Sequence, residues 1–150
     1  MSMRKQKSYI KDKRSPVALN EKVSNIMSKN KAKNTKPELL LRKMLWNNGL
    51  KGYRIHPKII PGKPDICYLS KKIAIFVNGC FWHRCPHCSF TLPKNNTEFW
   101  KEKFEKNIKR DKEKNKILES DGWQIITVWE CELKNKLETT FKNIELLVSR

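Results

Sequence analysis

The densest chemistry in this sequence runs from Asn78 to Cys88, Asn-Gly-Cys-Phe-Trp-His-Arg-Cys-Pro-His-Cys. Cys85-Pro-His-Cys88 is a C-x-x-C knuckle, a spacing that lets one tight turn present two thiolates to a tetrahedral metal. Cys80 precedes it, and Cys131 falls at the end of a predicted strand. Cys80, Cys85, Cys88 and Cys131 therefore make a candidate Zn2+ site, closed and hence structural, that would tie a long loop to a sheet. His87 is an alternative to Cys88, because zinc accepts either donor. The bland reading is a set of unrelated reduced thiols. Cys67, in a strand, reads as a small core residue.

Other chemical groups lie outside the cysteines. Pro61-Gly-Lys-Pro-Asp65 ends on an acid that opens a strand, a place where a carboxylate can hold Mg2+ and leave coordinated water for reaction. Asp after Pro is also ordinary turn chemistry. His83, between Trp82 and Arg84, could activate water near neutral pH or serve only as a structural or spare zinc-binding group. The doublets Phe81-Trp82 and Phe99-Trp100 would normally be core. On a loop beside a basic surface they could instead wedge between bases. Lys63, Lys94, Lys101, Lys103 and Arg110 are candidates for phosphate contacts.

The elements that must position these groups can be read in order. Glu21 to Asn30 suits a short helix. Thr35-Lys-Pro-Glu38 fits a capping box opening a second helix, with Pro37 in the first turn. Leu39, Leu40, Met44 and Leu45 form its expected apolar stripe, and Gly49 stops it. Glu38 is then the capping acid. Tyr53 to His56, Asp65 to Leu69 and Ile73 to Val77 read as strands, the last two as a hairpin turning at Ser70 to Lys72. The continuous apolar run Ile73 to Val77 suits a central strand buried on both faces. Asn96 or Thr97 caps a long helix to about Asp121, with Trp100, Phe104, Ile108 and Leu118 inward. Its outer face carries Lys101, Lys103, Lys106, Lys109, Lys112, Lys114 and Lys116. Trp123 to Trp129 is a fourth strand, so the long helix is a crossover to a parallel partner. Leu137, Phe141, Ile144 and Val148 line a closing helix.

Composition narrows the partners. Lys plus Arg outnumber Asp plus Glu by 33 to 15, a formal charge of +18 over 150 residues. Such an excess implies a polyanion, nucleic acid before an anionic membrane. No apolar run approaches the roughly 20 residues of a spanning helix. The basic N-terminus has no apolar h-region, so it does not read as a signal peptide. A cytosolic setting follows as the expectation, and there clustered cysteines favour metal over disulfide. Residues 1 to about 20 read as a flexible basic arm, and residues 21–150 as one domain.

Taken together these stretches resemble the very short patch repair (Vsr) mismatch endonucleases. The resemblance rests on Ser24-Asn-Ile-Met27, Asn34 through Arg42, Pro61 through Asp65, Phe76-Val-Asn-Gly-Cys-Phe-Trp-His83, Cys85-Pro-His-Cys88, Thr97-Glu-Phe-Trp100, Lys106 through Asp111, and Gly122 through Cys131. It implies an α/β fold with a restriction-endonuclease-like core, a small mixed sheet flanked by helices and a structural zinc site. It also implies a Mg2+-dependent nick in double-stranded DNA beside a T:G mismatch left by deaminated 5-methylcytosine. On the same resemblance Asp65 is the metal-binding aspartate, with the Val77 carbonyl as a second contact. His83 is the water-activating histidine, and Glu38 an acid near the site. Phe81, Trp82 and Trp100 are the inserting aromatics. Asp111 is a supporting acid that often pairs with the residue at the position of Asn78. Asn78 departs from the family, which carries His or Asp there; an amide can orient a water but cannot act as an acid.

The resemblance further implies a monomer in a prokaryotic-type cytoplasm, associated with the nucleoid, with mismatch-repair proteins as candidate partners. Two other functions are compatible with the residues. One is a DNA-binding relative whose catalysis has decayed at Asn78. The other is a sequence-specific restriction endonuclease of the same fold.

Overall fold

The computed structural model describes residues 20–29 and 31–150. The expected basic arm lies outside the described residues, apart from its last position. The chain divides into two compact units, Met1–Asn30 and Lys31–Arg150. In the first, α1 (Glu21–Ser28) is a short helix whose start is marked by Asn20, which accepts from the Val23 N–H at 3.0 Å.

The second unit is a four-stranded mixed sheet with helices on both faces. Its strands are β1 (Arg54–Ile55), β2 (Ile66–Tyr68), β3 (Ile73–Asn78) and β4 (Gln124–Trp129), in the order β1-β2-β3-β4. β2 and β3 form the expected antiparallel hairpin, and β4 runs parallel to β3 after a crossover through α4 (Thr97–Ser120). The hairpin turns at Lys72, which adopts a left-handed conformation after one turn of tighter helix at Leu69–Lys71.

Period-two alternation divides the core. Ile66, Tyr68, Ile73, Ile75 and Val128 face a cluster with Leu41 and Leu45 of α2 (Lys36–Asn47), Leu133 of α5 (Glu130–Asn135), and Phe141, Ile144 and Val148 of α6 (Leu137–Val148). Cys67 and Ala74 face the other way and pack with Leu118 and Trp123. β3 is thus central and covered on both sides, which explains its unbroken apolar run.

Two expectations about faces are corrected. The buried side of α2 is Glu38, Leu41 and Leu45, whereas Leu39 and Leu40 are exposed. Glu38 turns inward to polar partners, and residues three and seven positions on must share its face. Ile108 of α4 is exposed rather than buried. α3 (Cys80–His83) and α5 were not anticipated as helices; α5 begins where β4 ends and carries Cys131. None of the described helices is long and apolar enough to cross a membrane.

Candidate active site

The cysteine cluster is set by strand register. Asn78 of β3 pairs with Trp129 of parallel β4, so Cys80 and Cys131 stand two residues beyond matched positions. The Cys131 N–H donates to the Cys80 sulfur at 3.3 Å. The knuckle supplies Cys85 and Cys88, and all four sulfurs lie within 4.8 Å of one another. Cys85 and Cys131 sulfurs are 3.6 Å apart. That is too long for a disulfide and close to the edge of a zinc tetrahedron, ~3.8 Å for Zn–S bonds of ~2.3 Å. All five cysteines are free thiols. Burial pushes the Cys80 and Cys131 thiols up. For Cys85 burial acts the same way, but N–H groups of His87 and Cys88 and the neighbouring thiols outweigh it, and its net shift is downward. The donor set fits a structural zinc ion. His87 is turned toward Glu132, 3.6 Å away, and is exposed, so Cys88 is the fourth sulfur of the cluster.

α3 leaves this cluster carrying Phe81, Trp82 and His83. His83 Nδ1 meets Asp111 Oδ2 at 2.6 Å, a pairing across α3 and α4. Asp111 therefore engages His83, where the resemblance suggested the residue at Asn78. The Asn107 side-chain amide, one helical turn before Asp111, donates to the Trp82 carbonyl at 3.2 Å and fastens the same turn of α3. Asn78 itself closes β3 and is half-buried.

Asp65 lies just before β2. Its Oδ2 accepts the Val77 N–H at 2.7 Å, which leaves Oδ1 uncommitted to backbone. Its carboxyl is pushed up to about 6, chiefly by burial, with Glu38 adding to the rise and the Val77 bond, Arg42 and His83 opposing it. Val77 thus touches Asp65 through its N–H.

Beside Asp65 is a residue that the sequence reading left in a strand. His56 Nδ1 is 3.6 Å from Asp65 Oδ1, and His56 Nε2 is 3.1 Å from Glu38 Oε2. The antiparallel register Ile55↔Ile66 sets His56 across from Asp65, and the His56 N–H donates to the Asp65 carbonyl at 3.3 Å. That pairing was the available signal, but β1 is too short to announce it. Burial lowers the His56 pKa, with Glu38 opposing. Neutral His56 has one N–H. On Nε2 it donates to Glu38; on Nδ1 it is directed at Asp65 and Nε2 accepts from Arg42 at 3.2 Å.

Glu38 is 2% exposed and is more than a cap. Thr35 caps α2, accepting the Glu38 N–H at 3.4 Å. Glu38 Oε2 accepts from the Asn34 N–H and from Arg42, each at 3.0 Å. Arg42 also donates to Asn34 Oδ1 at 2.9 Å. Glu38, His56 and Asp65 could together approach one cation. The Arg42 guanidinium already neutralises the Glu38 and His56 side of that group, so the hard oxygens free for a divalent ion are on the Asp65 side.

The aromatics form one cluster. Phe81 meets Trp82, Phe90, Trp100 and Phe104 edge-on, with ring centroids 5.3 to 6.0 Å apart. Trp100 is buried there, stacked on Phe104, while Phe81 and Trp82 are half-buried. Lys103 lies 5.2 Å from the Trp82 ring and 5.6 Å from Trp100. Lys63, in a left-handed turn conformation, precedes Pro64 and Asp65. Lys94, Lys101 and Arg110 are exposed around this face.

A profile of the family described as DNA mismatch endonuclease Vsr matches residues 15–89. The chain belongs to this family. It is 46% identical over 115 residues to "Type II nicking enzyme V.NmeAIP" of Neisseria meningitidis serogroup A / serotype 4A, covering 77% of this chain and 81% of that one. It is 39% identical over 121 residues to "Type II nicking enzyme V.XorIIP" of Xanthomonas oryzae pv. oryzae, covering 79% and 88%. It is 38% identical over 109 residues to "DNA mismatch endonuclease Vsr" of Escherichia coli, covering 72% and 69%. As a Vsr-family protein it falls among DNA endonucleases, and its basic surface agrees with that class of substrate.

Proposed function

We propose that this protein nicks duplex DNA beside a T:G mismatch in a Mg2+-dependent reaction. The observation that carries the proposal is the pairing of His83 Nδ1 with Asp111, with a half-buried Asp65 carboxyl near enough for His83 to oppose the rise in its pKa. An imidazole oriented through Nδ1 has Nε2 left to take a proton.

In this reading water attacks the phosphorus, its proton passes to His83 Nε2, and the P–O3′ bond breaks, with the departing O3′ taking a proton from solvent to leave a 3′-hydroxyl and a 5′-phosphate. Asp111 stabilises the imidazolium that results. Asp65 Oδ1 and the Val77 carbonyl would hold the divalent ion. When bound, such an ion supplies Lewis-acid polarisation of the phosphate and a more acidic water. Glu38, clamped by Arg42 and Asn34, holds His56 beside Asp65. Asn78 orients solvent by hydrogen bonding and carries no proton. Phe81 and Trp82 enter beside the weak base pair, with Trp100 behind them as their packing partner. Prying is cheaper at a mismatch, where less stacking and pairing energy is lost. Lys63, Lys94, Lys101, Lys103 and Arg110 hold the backbone. Cys80, Cys85, Cys88 and Cys131 would hold a Zn2+ that ties down the loop carrying α3. The mixed sheet with its central hairpin is read as the restriction-endonuclease-like core, acting as a monomer.

Two relatives are named as type II nicking enzymes, and the alternative is a sequence-specific nicking enzyme acting on fully paired DNA. Matched supercoiled or oligonucleotide duplexes carrying T:G or C:G at one site separate the readings. Mg2+-dependent nicking confined to T:G is expected; equal nicking of both would favour the alternative, and binding without nicking would point to a non-catalytic relative.

A further inference from the structure

Lys114 stands apart from most lysines of α4. Lys101, Lys106, Lys109, Lys112 and Lys116 are exposed, whereas Lys114 is turned inward and half-buried. It lies three residues after Asp111, so the two share one face of the helix a turn apart. Its aliphatic stem lies over the turn that delivers Asp65. A Cβ added to Gly62 would come within 3.2 Å of the Lys114 Cδ and 3.3 Å of its Cβ. The glycine, already at φ +79°, makes room for that stem.

The charged head then sits among Arg110, Asp111, Asp65 and Lys63, the groups whose fields reach it. Among the described residues it closes no ion pair and no hydrogen bond. Burial lowers its proton affinity, and Arg110 and Lys63 act in the same sense against Asp111 and Asp65. Lys63 and Arg110 add positive field at the Lys114 ammonium, while Asp65 and Asp111, the latter already engaged by His83, oppose it. On the proposed reading the phosphodiester enters at Asp65 and His83, and Lys114 shares the helix face of Asp111, the partner of His83.

We propose that Lys114 is a catalytic residue of the nicking reaction, its ammonium donating a hydrogen bond to a non-bridging oxygen of the scissile phosphate. The inference rests on the proposed nuclease reading of Asp65 and His83. Its role is to stabilise the negative charge that grows on that oxygen as water adds. The competing role is purely structural, a stem that packs on Gly62.

Lys114→Met separates the two, because Met keeps an unbranched stem and good helix propensity but loses the charge. The experiment measures single-turnover nicking of a T:G duplex and equilibrium DNA affinity for the wild type, Lys114→Met, Lys114→Arg and Lys112→Met, with Asp65→Ala alongside and thermal melts of each. Expected for Lys114→Met is a rate loss on the order of 100-fold, as for removal of one donor to a developing oxyanion, with the melt and DNA affinity nearly unchanged. Lys114→Arg recovers most of the rate, and Lys112→Met behaves as wild type. Wild-type nicking by Lys114→Met overturns the proposal, as does a loss that saturating protein restores in full. If Lys114→Met lowers the melt, rate recovery by Lys114→Arg without recovery of the melt supports the catalytic role, and parallel recovery of both overturns it. If Asp65→Ala nicks normally, the metal assignment fails on its own while the Lys114 result still stands.

Discussion

The cysteine cluster and the acidic pocket both gather potential metal donors, but they are held together differently. Cys80, Cys85, Cys88 and Cys131 converge with only N–H donors and one another as partners. Four thiolates gathered this closely would need a cation to hold them. Glu38, His56 and Asp65 have a cation of their own in Arg42, along with backbone donors from Asn34 and Val77. On the proposed reading the first site would depend on metal for its shape, whereas the second has its shape in advance and would take metal for chemistry. Removing zinc should unmake a loop, while removing magnesium should leave the fold in place and stop only the reaction.

The largest effect expected is on the cysteine side. Cys131→Ser, or zinc removal by a strong chelator, should release α3 from β4, with loss of nicking and of the high-temperature part of the melt. Structural zinc in small domains contributes on the order of 10 kcal/mol to folding. Proteolysis confined to residues 80–96 after chelation would be the direct sign. A chelated protein that melts unchanged would erase the contrast between the sites.

On the acidic side, Arg42→Ala should cost about 3–5 kcal/mol, because it leaves buried Glu38 uncompensated. Denaturant titration measures it. A loss below 1 kcal/mol, the range of exposed pairs, would mean that Glu38 is not held as described.

Asp65→Asn should act in the opposite direction. The folded carboxyl titrates near 6, against an ordinary 3.8. Between these values the folded state holds a proton that the unfolded state has lost, so stability falls as pH rises through that window and stays low above it. The penalty is about 3 kcal/mol at one or two tenths exposure, from roughly 1.4 kcal/mol per pH unit. In zinc-replete, magnesium-free buffer the Asn variant should melt higher than wild type at pH 7.5 and equal to it near pH 4. A variant that melts lower at pH 7.5 would contradict the buried charge.

The smallest effect belongs to neither site. Lys106 and Glu102 pair at 3.9 Å on the exposed face of α4, and Lys106→Ala should change stability by no more than a few tenths of a kcal/mol. It serves as the control for the charge changes above.

What the sequence made legible follows the same division. The C-x-x-C knuckle is local, and the Ile73–Val77 run shows its central strand directly, so the cluster could be assembled from two predicted parallel strands. Asp65 was visible from its turn, and Thr35 from the cap. His56 was not, because its meaning depends on a two-residue strand pairing with β2. The His83–Asp111 pair spans 28 residues and two helices, and no local period announces it. Leu41 was missed for a related reason: the buried stripe of α2 is set by where Glu38 finds its partners, so a polar residue fixes the register of an apolar face. Lys114 reads as one lysine among many until the turn at Gly62 is placed beneath it.

On the proposed reading Asp65 serves chemistry while the fold stands without it. The most direct test is single-turnover nicking of a T:G duplex by Asp65→Ala in Mg2+, with DNA affinity measured on the same preparation. Nicking is expected to be abolished while DNA affinity stays close to wild type. Nicking at an undiminished rate would contradict that reading.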